Sequence, residues 1–504
     1  MWQDVGALVA TLLRLLTSPH DLIVIVAGLL YGMVFGLLPG VTVVTAAALI
    51  LPLTYWMDSR TALLLIVSLY VAGIFAGAFL SILFNIPGDP QNTPTCFDGY
   101  ALTRQGRAVE ALATAITCSA LGGLFGGVAF ILFSPLLSRV GFIFGPLEYF
   151  ALGLLGLSVA GGLGTESVRK GLLSACLGLI FGTVGVSETA GVTRFTFGIK
   201  ELEAGLGVGS VLIGAFALGE IFNELAAWGP ESWQLPVQLR ARTLSLREIL
   251  RMRYTVLRCA LIGTLVGVLP GAGATVAAFL AYSLEKTLSR EGHRFGSGVL
   301  EGVAAPETAN NAAGMGTLIP LITLGIPGGA VAAVIYSMFQ IHGLRPGPLF
   351  FTTSKDLIYL LYGAAILCNL LIIPVGRFEA RFVVSILRLP KTILYPMVFV
   401  LAAVGAFSES NSMRGVYVML ASGFLGYAFR RMGYSIAALV LGLILAPLME
   451  GSFVRLVLLY GDRPLSLFSR PVGVALLLAG AAIMAFTTWT ATGRRQFETR
   501  SVDE

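Results

Sequence analysis

The feature that most constrains this chain is the recurrence of long apolar runs. Leu22 to Leu38, Val41 to Trp56 and about Thr61 to Phe84 lie within or close to the roughly 17–25 residues an α-helix needs to cross a bilayer core. Further runs cover about 109–137, 142–163, 168–186 and 206–227, and later about 356–376, 392–407, 412–429, 434–449 and 471–490. A segment surrounded by lipid has no water to satisfy its peptide groups, so it must be a helix or part of a closed barrel. The short alternating segments of a barrel are not found. The expectation is an all-α polytopic membrane protein with about twelve membrane segments. Composition agrees: 56% of the 504 residues are hydrophobic and 12% charged, and the 61 glycines suit helices that approach closely in lipid.

The interruptions of these runs carry more information than the runs. The first ends in Gly36-Leu37-Leu38-Pro39-Gly40 and resumes at once. Proline removes a donor and glycine admits positive φ, so the pair marks a break with free peptide groups at its edges. A second, unusually polar break reads Asn85-Ile86-Pro87-Gly88-Asp89-Pro90-Gln91-Asn92 and leads into Asp98-Gly99-Tyr100. Between Trp228 and Tyr254 the apolar character gives way to prolines, Glu231 and Arg240, Arg242, Arg247, Arg251 and Arg253. This divides the chain into a first membrane half at 1–228, a basic cytoplasmic linker at 229–253 and a second membrane half at 254–504.

The second half echoes the first. Gly267-Val268-Leu269-Pro270-Gly271 answers the opening break, Ala277, Ala278 and Leu280 answer Ala46, Ala47 and Leu49 at the same offset, and Ile326-Pro327-Gly328 answers Ile86-Pro87-Gly88. One such tripeptide is common in any membrane protein. Two in the same order predict two inverted-topology repeats with broken or re-entrant helices, and a transport site at the repeat interface.

Other classes are disfavoured by what the sequence carries. The net charge of +6 is distributed in short loops between apolar runs, the pattern of cytoplasmic loops and not of a nucleic-acid face. Cys96, Cys118, Cys176, Cys259 and Cys368 are scattered and odd in number, without metal or disulfide spacing. The histidines His20, His293 and His342 stand outside any H-E-x-x-H setting, and there is no G-x-S-x-G elbow, so no enzyme and no organic cofactor are expected. Residues 1–17 carry Asp4 and no early basic cluster, and read as an interfacial helix with Arg14 snorkelling. Arg494 and Arg495 favour a cytoplasmic C-terminus.

Three segments of the second half are long and distinctive: Gly-Val-Leu-Pro-Gly-Ala-Gly-Ala-Thr at 267–275, continuing into Ala-Phe-Leu-Ala-Tyr-Ser-Leu-Glu-Lys at 278–286; Glu-Gly-Val-Ala-Ala-Pro-Glu-Thr-Ala-Asn-Asn-Ala-Ala at 301–313; and Leu-Ile-Pro-Leu-Ile-Thr-Leu-Gly-Ile-Pro-Gly at 318–328. With Asn85 to Gly88 and Asp98-Gly99-Tyr100, they closely resemble the large, TctA-like membrane subunit of tripartite tricarboxylate transporters, over nearly the whole chain. The resemblance implies a multi-pass protein of the bacterial inner membrane that takes up organic di- or tricarboxylates. It further implies a small four-span membrane subunit, a periplasmic solute-binding protein that delivers substrate, and a cation gradient as the energy source. No G-x-x-x-x-G-K-[ST] occurs, in keeping with a source other than ATP. The alternative is a carboxylate-permeable channel or scaffold subunit without concentrative coupling.

Helix N-termini at membrane breaks suit a carboxylate, while unwound carbonyls suit a cation. Gly40, Thr42 and Thr45 are therefore expected opposite Gly271, Gly273 and Thr275, with Asn85, Pro87, Gly88, Asn310, Asn311, Pro327 and Gly328 completing a substrate cavity. Glu307 and Asp89 are candidates for coupling to a proton or sodium ion, with a sodium position near Asn310 and Asn311. The threonines could instead bond back to helix carbonyls, the asparagines could join helices, and Glu307 could be an ordinary charge near a helix start. Glu220 and Glu224 are expected to pair with loop arginines. Asp89-Pro90-Gln91-Asn92 stands where the resembling family leads one to expect small or hydroxyl residues, Ala76-Gly77-Ala78 stands where Gly-Gly-Ser is frequent, and the opening break lacks a second glycine. An aspartate there disfavours a highly charged anion such as citrate unless a cation or proton intervenes. Rocking of the two halves or an elevator motion would serve alternating access, and paired broken hairpins suit the elevator better.

Overall fold

The computed structural model describes residues 2–38, 42–85, 87–141, 144–162, 167–187, 191–226, 244–270, 273–386, 391–461 and 470–500. The chain is helical almost throughout. It opens with α1 (Trp2–Thr17) and α2 (Pro19–Gly36), the second started by Ser18, whose hydroxyl accepts the Asp21 N–H, and by proline in the first turn. After the first break comes α3 (Val43–Thr54), capped by Thr42. Asp58 then accepts the N–H groups of Arg60 and Thr61 to start α4 (Ser59–Phe84), which ends on Asn85 in the left-handed region at φ 58°. A single 3-10 turn at Pro90–Asn92 leads into α5 (Thr93–Arg104) and the long α6 (Ala108–Gly141).

The first half continues with α7 (Pro146–Gly162) and α8 (Val168–Gly182), then a two-residue antiparallel ladder pairing β1 (Gly185–Val186) with β2 (Thr193–Arg194). It closes with α9 (Val208–Leu212), a π-helical stretch at Ile213–Leu218 and α10 (Gly219–Ala226). Of the linker expected at 229–253, the part up to residue 243 lies outside the described residues. The remainder forms α11 (Leu246–Arg251), started by a reciprocal cap between Ser245 and Glu248.

The second half begins with α12 (Arg253–Val268) and, after its own break, α13 (Gly273–Leu288). Then come α14 (Leu300–Gly316), α15 (Leu318–Leu324), α16 (Ala330–Ile341) and the short α17 (Phe350–Thr353). The chain finishes with α18 (Lys355–Ile386), α19 (Lys391–Ser410), α20 (Met413–Arg431), α21 (Ile436–Tyr460) and α22 (Pro471–Arg500).

Among the described residues, five helices are long and apolar enough to cross a membrane unaided: α2, α4, α6, α18 and α21. Shorter apolar helices include α3 and α16, each of 12 residues. At 1.5 Å per residue these reach about 18 Å, little over half of a hydrocarbon core. Each follows a Pro-Gly break, so a break at such a place leaves a helix end within the membrane.

Helix α4 is the central post, buried along its whole apolar window, as its uniformly hydrophobic surface requires. Helix α2 lies against it through small residues, and a β-carbon at Gly32 would run into the Leu69 carbonyl. Helix α14 is gripped from two sides in the same manner, by Gly122 of α6 at the Thr308 carbonyl and by Gly263 of α12 at the Ala309 carbonyl. Such close approach replaces the hydrophobic drive that is missing between helices in lipid.

The Asp98-Gly99-Tyr100 motif has a structural part to play. Asp98 is fully buried on α5. Its Oδ1 accepts the N–H groups of Gly296, Gly298 and Val299, each at 2.9 Å, and its Oδ2 accepts the Tyr282 hydroxyl at 2.9 Å. Gly296 and Gly298 adopt φ of 91° and 101°, which aims successive peptide N–H groups at one carboxylate. The motif thus fastens the entry to α14 onto the first half of the chain.

Candidate functional site

A cavity of about 320 Å³ lies where interruptions from both halves converge. Its wall contains the start of α3 (Thr42, Val43, Val44), the turn after α4 (Asp89, Pro90, Gln91), the start of α13 (Gly273, Ala274, Thr275) and the start of α16 (Gly329, Ala330, Val331). A fourth helix start, at Ser435 to Ala438 of α21, completes the ring with Arg430, Tyr434, Phe216, Tyr70 and Thr317. The Tyr70 hydroxyl meets Thr317 Oγ1 at 3.1 Å, joining α4 to the junction of α14 and α15.

Four helix N-termini bordering one hollow set its electrostatics. Each brings unpaired N–H groups and a partial positive charge of about half a unit. The protein covers two of them itself. At α3, Thr42 Oγ1 accepts the Thr45 N–H at 3.2 Å and Asp89 Oδ2 accepts the Val43 N–H at 3.0 Å. At α21, Ser435 accepts the Ala438 N–H at 3.1 Å. At α16 no side chain caps the Gly329 end; α13 begins at Gly273, which adopts φ 65°, and the residues just before it lie outside the described residues. The Gly329 end therefore keeps donors for an anion.

The residues expected from sequence fall into three groups. Thr42, Asp89, Gly273 and Thr275 line the cavity together. Thr45 is buried beneath Thr42, their hydroxyls 3.1 Å apart, and Gly88 is packed onto Gly77 and the Gly36 carbonyl. Asn85 and Pro87 are exposed and stand off the cavity, while Pro327 and Gly328 lie behind Gly329, Gly328 against the Gly267 carbonyl. Gly40 and Gly271 lie outside the described residues.

Asn310, Asn311 and Glu307 sit inside α14, away from the cavity wall. Asn310 Nδ2 donates to the Ile74 carbonyl of α4 at 3.4 Å, and Asn311 Nδ2 donates to the Glu307 carbonyl at 3.0 Å. The Glu307 carboxylate is fully buried. Its Oε1 accepts Thr95 Oγ1 at 2.6 Å and Asn92 Nδ2 at 3.4 Å, and its Oε2 accepts Ser119 Oγ at 3.0 Å. Asn92 ends the same turn whose Pro90 and Gln91 face the cavity, so the two places share one element.

Sequence reasoning missed Arg430, Ser435, Tyr70 and the π-helical Phe216. Arg430 and Arg431 look like ordinary positive residues at a span end, and nothing nearby announces that Arg430 pairs with Glu220. The expectation that Glu220 meets an arginine holds, although that arginine lies in the last turn of α20. The side chain of Glu224 lies outside the described residues.

Residues 22–441 match the family model described as the tripartite tricarboxylate transporter TctA family. The chain belongs to this family. The matched TctA segment contains every cavity residue from Thr42 to Leu441 and leaves α22 outside. An uncharacterized 52.8 kDa protein in the TAR-I ttuC′ 3′ region of Agrobacterium vitis is 35% identical over 465 residues, 92% of each chain. A second uncharacterized protein, from the TAR-II ttuC′ 3′ region of the same organism, is 38% identical over 218 residues, 43% of this chain and 90% of its own length. No solved structure matches. TctA membership, with the apolar helices, makes this a multi-pass membrane component of a tripartite transporter, which is not an enzyme family.

Proposed function

We propose that this protein is the translocation subunit for a small organic di- or tricarboxylate, taking it up across the bacterial inner membrane by secondary active transport. A periplasmic solute-binding protein would deliver the acid, and a small four-span membrane subunit would complete the complex. The observation that carries the reading is the convergence of four helix N-termini on one hollow, the one at Gly329 without a side-chain cap. Such ends are suited to carboxylate oxygens in a place where water is scarce.

The same arrangement supports two inverted repeats as the basis of the transport cycle. Helix α2 packs on α4 and leads through a Pro-Gly break into α3, while α12 packs on α14 and leads through a second break into α13. Each half thus brings helix starts to the cavity, as a site at a repeat interface requires. An elevator motion would carry these starts together with their acid. Glu307 takes the coupling proton or sodium ion, because a carboxylate buried among three neutral donors stays in lipid at lower cost when its charge is met. The 90–92 turn would relay that event to the cavity.

The test is uptake by the protein reconstituted in liposomes with its two partners, under imposed sodium or proton gradients. Accumulation of labelled carboxylate above the external concentration is the expected result. Equilibration without accumulation under every gradient would overturn concentrative coupling and favour a channel.

A further inference from the structure

We propose that Asp89 sets the specificity of the cavity by accepting a hydrogen bond from the bound acid, so that di- or tricarboxylates carrying an O–H or N–H donor are taken in preference to those without one. This rests on the carboxylate reading above and narrows it. Asp89 is only 5% exposed, yet it borders the hollow. Its Oδ2 accepts the Val43 N–H at 3.0 Å, which fixes the carboxylate against the start of α3, where the positive helix end supports its charge. Its Oδ1 meets no donor of the described residues. Nor is that oxygen sealed in by protein atoms, so it is the one that opens onto the hollow.

The rest of the lining does not make this demand. Its hydroxyl and amide side chains, Thr275, Tyr434 and Gln91 among them, can each turn to donate or to accept, and Arg430 only donates. With the uncapped Gly329 end, these groups serve the carboxylates of the acid. Asp89 is the sole carboxylate among the described lining residues, and an ionised carboxylate only accepts. A carbonyl or carboxylate oxygen laid against Oδ1 is repelled, and a bare methylene leaves it without a partner in a place it has been stripped of water. An O–H or N–H group on the carbon skeleton satisfies it. Discrimination thus falls on the substituent of the acid and not on its number of carboxylates.

The test measures Kd for the full chain in lipid nanodiscs at about pH 8, where carboxylates are ionised. The probes differ in one group: citrate against propane-1,2,3-tricarboxylate, and 2-hydroxyglutarate and glutamate against glutarate and 2-oxoglutarate, taking the better-bound enantiomer of each chiral acid. In the set that binds, the acid with the donor should bind about tenfold more tightly than its parent, the lower end of what a hydrogen bond to a charged group contributes. A gain by 2-hydroxyglutarate alone assigns the donor as O–H, and by glutamate alone as N–H. The acceptor-only 2-oxoglutarate should bind no more tightly than glutarate. In Asp89→Asn the amide oxygen must stay on the Val43 N–H, which turns Nδ2 to the hollow as a donor, so 2-oxoglutarate should draw level with 2-hydroxyglutarate. Should that variant fail to fold, the wild-type order decides, because no other described lining side chain accepts without being able to donate. Parent acids binding as tightly as their donor-bearing partners would overturn the proposal and leave the carboxylate reading standing. A folded Asp89→Asn protein that keeps the wild-type order would overturn the assignment to Asp89. Binding of none of these acids would overturn the carboxylate reading itself, and the proposal with it.

Discussion

Replacing Asp98 with asparagine should release the loop ahead of α14 without disturbing the helices around it. In the wild type three peptide N–H groups, at Gly296, Gly298 and Val299, converge on Oδ1 at 2.9 Å. Asparagine is the same size, and its carbonyl can occupy the Oδ1 position. Its amide then faces the Tyr282 hydroxyl, which can turn to accept, and the Gly296 N–H, which loses its second acceptor. What is lost is the ionic character of three bonds. Hydrogen bonds to charged groups contribute about 1.5–3 kcal/mol and neutral ones about 0.5–1.5, so the change is about 1 kcal/mol per bond and about 3 kcal/mol in all. Gly296 and Gly298, at φ of 91° and 101°, aim their N–H groups at that one position. A local opening free energy lower by about 3 kcal/mol corresponds to amide exchange about 100-fold faster. Hydrogen–deuterium exchange of the peptide spanning 294–300 measures it directly. Exchange within about threefold of wild type would mean the clasp contributes under 1 kcal/mol, and the assignment of Asp98 as the fastener would be wrong.

Other outcomes can be stated more briefly. Gly122→Ala places a β-carbon on the Thr308 carbonyl and should destabilise the protein by about 1–3 kcal/mol, whereas Gly6→Ala, with open space around it in α1, should stabilise it by about 0.5–1 kcal/mol; thermal unfolding in detergent gives both signs. Thr42→Val removes the side-chain cap of α3 and should cost about 1 kcal/mol in the same assay. Glu307→Gln keeps volume and an acceptor for Thr95, so the protein should fold, but uptake by the reconstituted complex should no longer follow the imposed ion gradient. Normal uptake with unchanged sodium and pH dependence would remove Glu307 from the mechanism.

What could be read from the sequence was whatever depends on local chemistry. Pro-Gly pairs interrupt helices wherever they stand, so Thr42, Gly273 and Thr275 were legible as edges of breaks, and they do share a cavity. Asp89 was legible as an unexpected charge, but its use, capping Val43 from the far end of α4, depends on how α3 folds back. The Glu307 to Asn311 stretch looked like an open polar site because amides and a carboxylate in an apolar run signal water. In the structure α14 stays helical through Pro306, the Glu307 carboxylate is held by α5 and α6, and Asn310 Nδ2 donates to α4. Arg430 was hidden for the opposite reason: an arginine at a span end is so ordinary that only its partner Glu220, brought alongside by α10 packing on α20, distinguishes it.

The three residues from Pro90 to Asn92 touch two worlds at once. One flank borders the hollow through Pro90 and Gln91, and the other holds the Glu307 carboxylate through Asn92. One turn of backbone therefore ties the wall of the hollow to a carboxylate buried between α5, α6 and α14.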